Sequence, residues 1–284
     1  MVIVFGALAT APVFAQDATS PVAEASPYIG ASKCADCHQV EFKDWKASDH
    51  FRAMAVADAE SVKGDFENIK VEFNGIESRF FKRDNLYFVA TTNRQQEQQT
   101  FQIKFTFGHY PLQQYLIETE NGHIQAFNVA WDSRAGEQGG QRWFHLRDNE
   151  IASADDPFYW EGHFQNWNSR CADCHSTNLR KNYDADENAY QTQWSEINVS
   201  CEACHGPGRT HYERVMSQQF NESDTGFETS LPGSGTWVLK AGANFAESIG
   251  LDVQQSQAST LNTCGGCHSR RAALSATQHG KNYH

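Results

Sequence analysis

Residues 101–129 read FQIKFTFGHYPLQQYLIETENGHIQAFNV. Phe101, Ile103, Phe105 and Phe107 alternate with polar neighbours, the period of a strand with one buried face. Asn121-Gly122 is a hairpin dipeptide between Leu116-Ile117 and the run Ile124, Phe127, Val129. Further back, Phe80-Phe81 and Leu86-Tyr87-Phe88-Val89 flank a second turn signal, Lys82-Arg83-Asp84-Asn85. Residues 66–130 therefore read as an antiparallel β-meander of about five or six strands. Two roles stand open for it: a structural wall, and a module that docks a partner or screens a substrate. A fold alone does not specify function, so the wall is preferred.

The meander contains no cysteine, whereas both flanks do. The eight cysteines fall as Cys34-Ala-Asp-Cys37-His38, Cys171-Ala-Asp-Cys174-His175, Cys201-Glu-Ala-Cys204-His205 and Cys264-Gly-Gly-Cys267-His268. Every pair has C-x-x-C spacing and every pair is followed by histidine. With 12 histidines in 284 residues, four such coincidences have a chance of roughly three in a million. Zinc would join two pairs into one four-cysteine site and needs no histidine after each. A thioredoxin-like pair occurs once, beside a βαβ pattern. Disulfides suit an exported chain but leave the histidines unexplained. Heme c accounts for all of it: two thiols add across the porphyrin vinyl groups and the next histidine binds iron. The sequence thus predicts four covalently attached hemes c. Cys34, Cys37, Cys171, Cys174, Cys201, Cys204, Cys264 and Cys267 are the anchors, and His38, His175, His205 and His268 the proximal ligands.

Eight histidines remain for the opposite faces, against only Met54 and Met216 beyond the first residue. Mostly bis-histidine iron is expected, which lowers the potential. The segment after His38 has a broadly helical pattern, and a helix would carry His50 ~18 Å from His38. His50 is therefore expected to serve a neighbouring heme, and His211, six residues after His205, likewise. His50, His145 and His211 are the first-choice distal ligands; His163 and His279 follow. His109 and His123 rank lower because they lie on the strand-rich segment, and His284 is uninformative.

Composition bounds the rest. Hydrophobic residues make up 39% of the chain, and net charge is −12. So low an apolar content leaves room for a cofactor in the interior. The acidity disfavours nucleic acid and anionic membranes and suits a basic redox partner protein. Residues 1–15, MVIVFGALATAPVFA, resemble the end of a secretory signal peptide, and no later stretch approaches the ~18 apolar residues of a membrane span. The expected organisation is a signal remnant at 1–15, a first heme segment at 16–65, the β-rich module at 66–130, and the remaining motifs at 131–284, joined with 16–65 in one heme domain. The aromatic residues of 143–167 are expected to pack on porphyrin, and Thr236-Trp237-Val238-Leu239 to form a strand. The fold class is α+β: short helices and loops wrapped around clustered hemes, an inserted antiparallel meander, and little regular structure.

Six segments carry a resemblance: TFGHYPLQQYLIE, AFNVAWDSR, GGQRWFHL, QNWNSRCADCHSTNLRKNYD, WSEINVSCEACHGPG and CGGCHSRR. From Tyr28 to Arg271 the chain resembles the multiheme cytochromes related to cytochrome c-554, nearest to larger members with tetratricopeptide repeats downstream. The resemblance implies a periplasmic electron carrier with closely packed hemes, mostly His/His ligated, and matches His50, His145 and His211 to distal positions. The larger relatives continue into further motifs and helical repeats, so this sequence is expected to be a fragment or a short form.

Electron transfer is thus the leading expectation, with no catalytic residue. The alternative is a reductase or oxidase of a small nitrogen or sulfur compound, with Arg142, Arg147, Tyr159 or Arg170 beside an open iron; the lysine variant C-x-x-C-K is absent. A third reading stacks the chain into a larger electron conduit.

Overall fold

Alternation of apolar and polar residues runs well beyond the meander, and the chain answers with one large sheet. The computed structural model describes residues 26–148, 153–221, 223–227, 229, 231, 236–249 and 253–269. Nine strands join: β1 (Met54–Val56), β2 (Ile69–Phe73), β3 (Ile76–Arg83), β4 (Leu86–Thr92), β5 (Gln98–Phe107), β6 (Leu112–Glu118), β7 (Ile124–Ala126), β8 (Val129–Asp132) and β9 (Arg142–His145). The order is β2-β3-β4-β5-β6-β8-β9, with β1 also on β5 and β7 also on β6, and every pairing is antiparallel. Asp84 and Asn85, at φ 52° and 61°, make the β3–β4 hairpin. Two positive φ angles match the twist of the strands they join.

The sheet curls until its ends nearly meet, giving a barrel-like body. Trp143 on β9 donates its indole N–H to the Asp65 carbonyl at 3.2 Å, just before β2. Phe73 at the end of β2 lies 5.9 Å from the His145 ring. Inside, Trp143 stacks on Phe80 at 3.7 Å and 8°, and Phe66 meets Tyr87, Tyr115 and Trp143 edge-on. A second apolar cluster of Met54, Leu116, Ile124, Trp167, Ala172 and Leu179 holds the second motif against the sheet.

This overturns the expected fold class. The chain is sheet-rich with few helices, and not a heme fold wrapped in helices and loops around a small insertion. The sheet recruits β1 from the first heme segment and β8 and β9 from the segment after the meander. The helix after His38 ends at Ala47, and Met54 enters the sheet fully buried opposite Phe107. In RWFH the alternation buries Trp143 while Arg142 stays exposed. Trp143, Tyr159 and Trp160 accordingly pack into the sheet core rather than waiting for porphyrin.

The helices are α1 (Ala31–Cys34), α2 (Gln39–Ala47), α3 (Trp167–Arg170), α4 (Ala172–His175), α5 (Cys201–His205), α6 (Arg209–Met216) and α7 (Val253–His268). Two small hairpins pair Tyr183–Asp184 with Ala189–Tyr190 and Thr236–Val238 with Glu247–Ile249. Among the described residues no helix is long and apolar enough to cross a membrane. Residues 1–15, His279 and His284 lie outside the described residues.

Candidate functional site

Each C-x-x-C-H motif begins on or ends a helix. α1 closes on Cys34, α4 on His175, α5 spans Cys201–His205, and α7 ends at His268. α1 packs on α5, and α4 on α7. The thiols follow. Cys34 shares a hydrogen bond with Cys201, and Cys174 lies 3.8 Å from the Cys267 carbonyl and also bonds its thiol. Burial, and then the neighbouring Cys264, push the Cys204 thiol up. All eight thiols are free. Among the described residues no three His, Cys, Asp or Glu side chains converge as a zinc site requires.

The sequence-predicted histidines form two facing pairs. His38 and His211 have ring centroids 6.3 Å apart, and His50 and His268 6.2 Å apart. An iron–nitrogen bond of about 2.0 Å plus about 1.1 Å from nitrogen to ring centre, taken twice, gives about 6.2 Å. Both gaps therefore fit one iron between two imidazoles. The His211 Nδ1 faces the Thr225 carbonyl at 2.8 Å, leaving Nε2 for a metal. His50 is held by its segment: its carbonyl accepts from Val199 N–H at 3.3 Å, and Trp45 donates to the Val199 carbonyl at 2.8 Å. The pairs join distant motifs, since neither distal histidine faces its own neighbour in sequence.

His175 points its Nδ1 at the Ala53 carbonyl, 3.4 Å away, with Phe107 at 4.4 Å. Burial lowers its proton affinity. His205 is lowered by burial and then by His38 and His211, which places it in the same cluster as the first pair.

The other candidates go elsewhere. His145 sits at the mouth of a sheet cavity of ≈ 200 Å³ beside Phe73, and its Nδ1 accepts from Arg147 N–H at 3.1 Å. His163 contacts Arg170 and Phe164. His123 has both ring nitrogens engaged, with the Asn188 carbonyl and with Asn166, and so docks the 183–190 hairpin. His109 lies 3.5 Å from Asp49. Of the residues named for an open iron, Tyr159 donates to the Thr92 carbonyl and Arg142 to that of Gly139, while Arg147 and Arg170 lie over Phe158 and Phe164, two rings stacked 4.5 Å apart.

Two residues escaped the sequence reading. Glu202, inside the third motif, is 1% exposed. Its Oε1 accepts from Ile29 N–H at 3.0 Å and Gly208 N–H at 2.8 Å, and its Oε2 from Gly30 N–H at 2.8 Å. Glu196 accepts from Ala31 N–H at 3.1 Å and from the Ser200 hydroxyl. No local signal marked Glu202, since Asp36 and Asp173 also lie between paired cysteines.

The chain matches the family described as cytochrome c554 and c-prime over residues 33–104 and 140–206. These blocks take in the first three motifs and leave out β6, β7 and β8. Two solved structures are similar. The outer cell wall cytochrome OcwA shows 17% identity over 79% of this chain and 45% of its own, with a TM-score of 0.43. The undecaheme cytochrome from the S-layer of Carboxydothermus ferrireducens shows 18% identity over 78% of this chain and 29% of its own, with a TM-score of 0.42. This chain thus spans less than half the length of either. No curated protein matches it.

Proposed function

We propose, from the premise that the chain belongs to the cytochrome c554 and c-prime family, that it is an exported, periplasmic electron-transfer protein with four hemes c. At each C-x-x-C-H motif the cofactor, when bound, supplies an iron that exchanges one electron. The chain's own part is to hold the attachment points close, present imidazole to each metal and limit water.

The observation that carries the reading is the spacing of the two histidine pairs, 6.3 and 6.2 Å between ring centroids. On it, His38 and His211 would hold one iron and His268 and His50 another, while His175 and His205 would bind the irons of the second and third motifs. Imidazole on both faces favours low potentials. The helix contacts set the first attachment site beside the third and the second beside the fourth. The order in which sites neighbour one another therefore differs from their order in sequence. The net charge of −12 suits a basic redox partner.

The intact mass of the purified holoprotein tests attachment: four added hemes are expected, and fewer would remove the reading at the missing motif. EPR and optical spectra test the carrier role. Low-spin signals that ignore nitrite, hydroxylamine, sulfite and CO are expected; a high-spin signal answering one of them would replace the carrier with a reductase.

A further inference from the structure

We propose that Glu202, seconded by Glu196, is a positioning residue that seats the first heme-attachment site against the third and biases both irons toward the oxidised state. The inference rests on the heme reading above and goes beyond it.

The geometry is unusual for a charged side chain. Glu202 is buried, and the partners found for it among the described residues are backbone N–H groups. A carboxylate accepts hydrogen bonds and donates none, so a ring of N–H donors is what it needs to leave water without a large penalty. With Glu196 it takes the N–H groups of Ile29, Gly30 and Ala31, three consecutive residues leading into α1. Successive N–H groups that curl around an anion form a nest, and Gly30 at φ 82° provides the turn that exposes them. On the other side Glu202 takes Gly208 N–H, which follows the third motif. A Cβ at Gly208 would stand 3.3 Å from both Glu202 Oε1 and Ile29, so a side chain there would press on the carboxylate's seat.

One side chain therefore ties both ends of the contact between α1 and α5. Cys34 lies at the end of α1 and Cys201 at the start of α5, on two helices that pack together. The anchor separation for the first and third cofactors is set by this clamp, because α1 has only four residues and one buried side chain, Ala31, with which to hold itself. The charge has a second effect. Glu202 lies between Cys201 and Cys204, and Glu202 and Glu196 both hold the backbone just before Cys34, so both carboxylates stand beside the first and third anchors. Oxidised heme iron carries one more positive charge than reduced iron. A fixed anion in a dry site favours that state more than the same anion in water would.

The test is Glu202→Gln in the holoprotein, read by spectroelectrochemical titration, with intact mass as the loading control. Gln keeps the shape but loses the charge and turns one acceptor into a donor facing Gly30. The expected result is four retained hemes, a positive shift in two of the four one-electron components, and faster proteolysis in Ser26–Lys33. No shift, or an equal shift of all four components, overturns the proposal. If Glu202→Gln fails to load heme, Glu202→Asp replaces it: potentials stay at wild type while proteolysis of Ser26–Lys33 quickens, and a positive shift with the charge intact overturns the electrostatic role. Wild-type protein lacking heme at the first or third motif would instead sink the heme reading itself.

Discussion

The sheet and the motif-bearing segments are held by different forces. The sheet buries its own aromatics: Phe66, Phe80, Val89, Tyr115 and Ile117 are at most 1% exposed. The second motif segment shares in this through Trp167 and Ala172, whereas the first and third do little of it. α2 and α6 bury no side chain, although they follow the motifs of His38 and His205. They are fastened by single polar contacts, such as Trp45 to Val199, Asn198 to Phe51 and the Glu202 clamp. Burial of apolar area is the dominant favourable term in folding. The sheet thus has an apolar core of its own, whereas the helices that follow the first and third motifs bury no side chain.

The sharpest way to break that contrast is to withhold the cofactor. In chain made without heme attachment, limited proteolysis read by mass spectrometry should leave 54–145 protected and cut the motif segments within the shortest exposure. Equal protection of both regions would end the distinction. Next comes the sheet itself. Trp143→Ala should cost about 3–5 kcal/mol in denaturant unfolding, the usual range for emptying a large aromatic from a core. Its heme spectrum should stay unchanged, since Trp143 packs on Phe80, Phe66 and Tyr115. A spectral change would mean that the two regions are one cooperative unit. On the heme side, His211→Ala and His50→Ala should each convert one low-spin signal to high-spin. His123→Ala should leave EPR untouched and loosen only the 183–190 hairpin.

The sequence disclosed these two regions unequally. The C-x-x-C-H motifs are local, and the period-2 run Phe101–Phe107 is local as well, so both were legible. The turn at Asp84-Asn85 fell where its residues placed it, and residues 236–238 form the expected strand. The sheet's outer members were not legible. β1 is three residues long and follows a helical pattern, and β9 lies in an aromatic cluster whose partner surface no local rule identifies. Which histidine faces which depends on tertiary approach: His50 and His268 are 218 residues apart in sequence and 6.2 Å apart in space. Glu202 was hidden because a glutamate beside a cysteine reads as solvent-exposed until the amides of 29, 30 and 208 close on it.

The smallest expected effect lies at the β8–β9 loop and sharpens the contrast from the sheet side. Asp132 accepts from the Arg134 backbone N–H at 3.2 Å and from its guanidinium at 2.9 and 2.5 Å. Arg134 holds the Asp132 carboxyl down to about 2, against an ordinary value of 3.8. A carboxyl depressed on folding stabilises the folded state above its ordinary range, and that contribution disappears as pH falls through the folded value. Urea unfolding of the wild type should therefore weaken more steeply between about pH 4 and pH 2 than that of Asp132→Asn. Arg134 is 41% exposed at its side chain, so solvent and salt screen the pair and the difference should shrink further in 1 M salt. Because the pair sits on the sheet and apart from the histidine pairs, the heme spectra of wild type and Asp132→Asn should superimpose across the same titration. A divergence would show that acid loosening of the sheet edge reaches the motif segments.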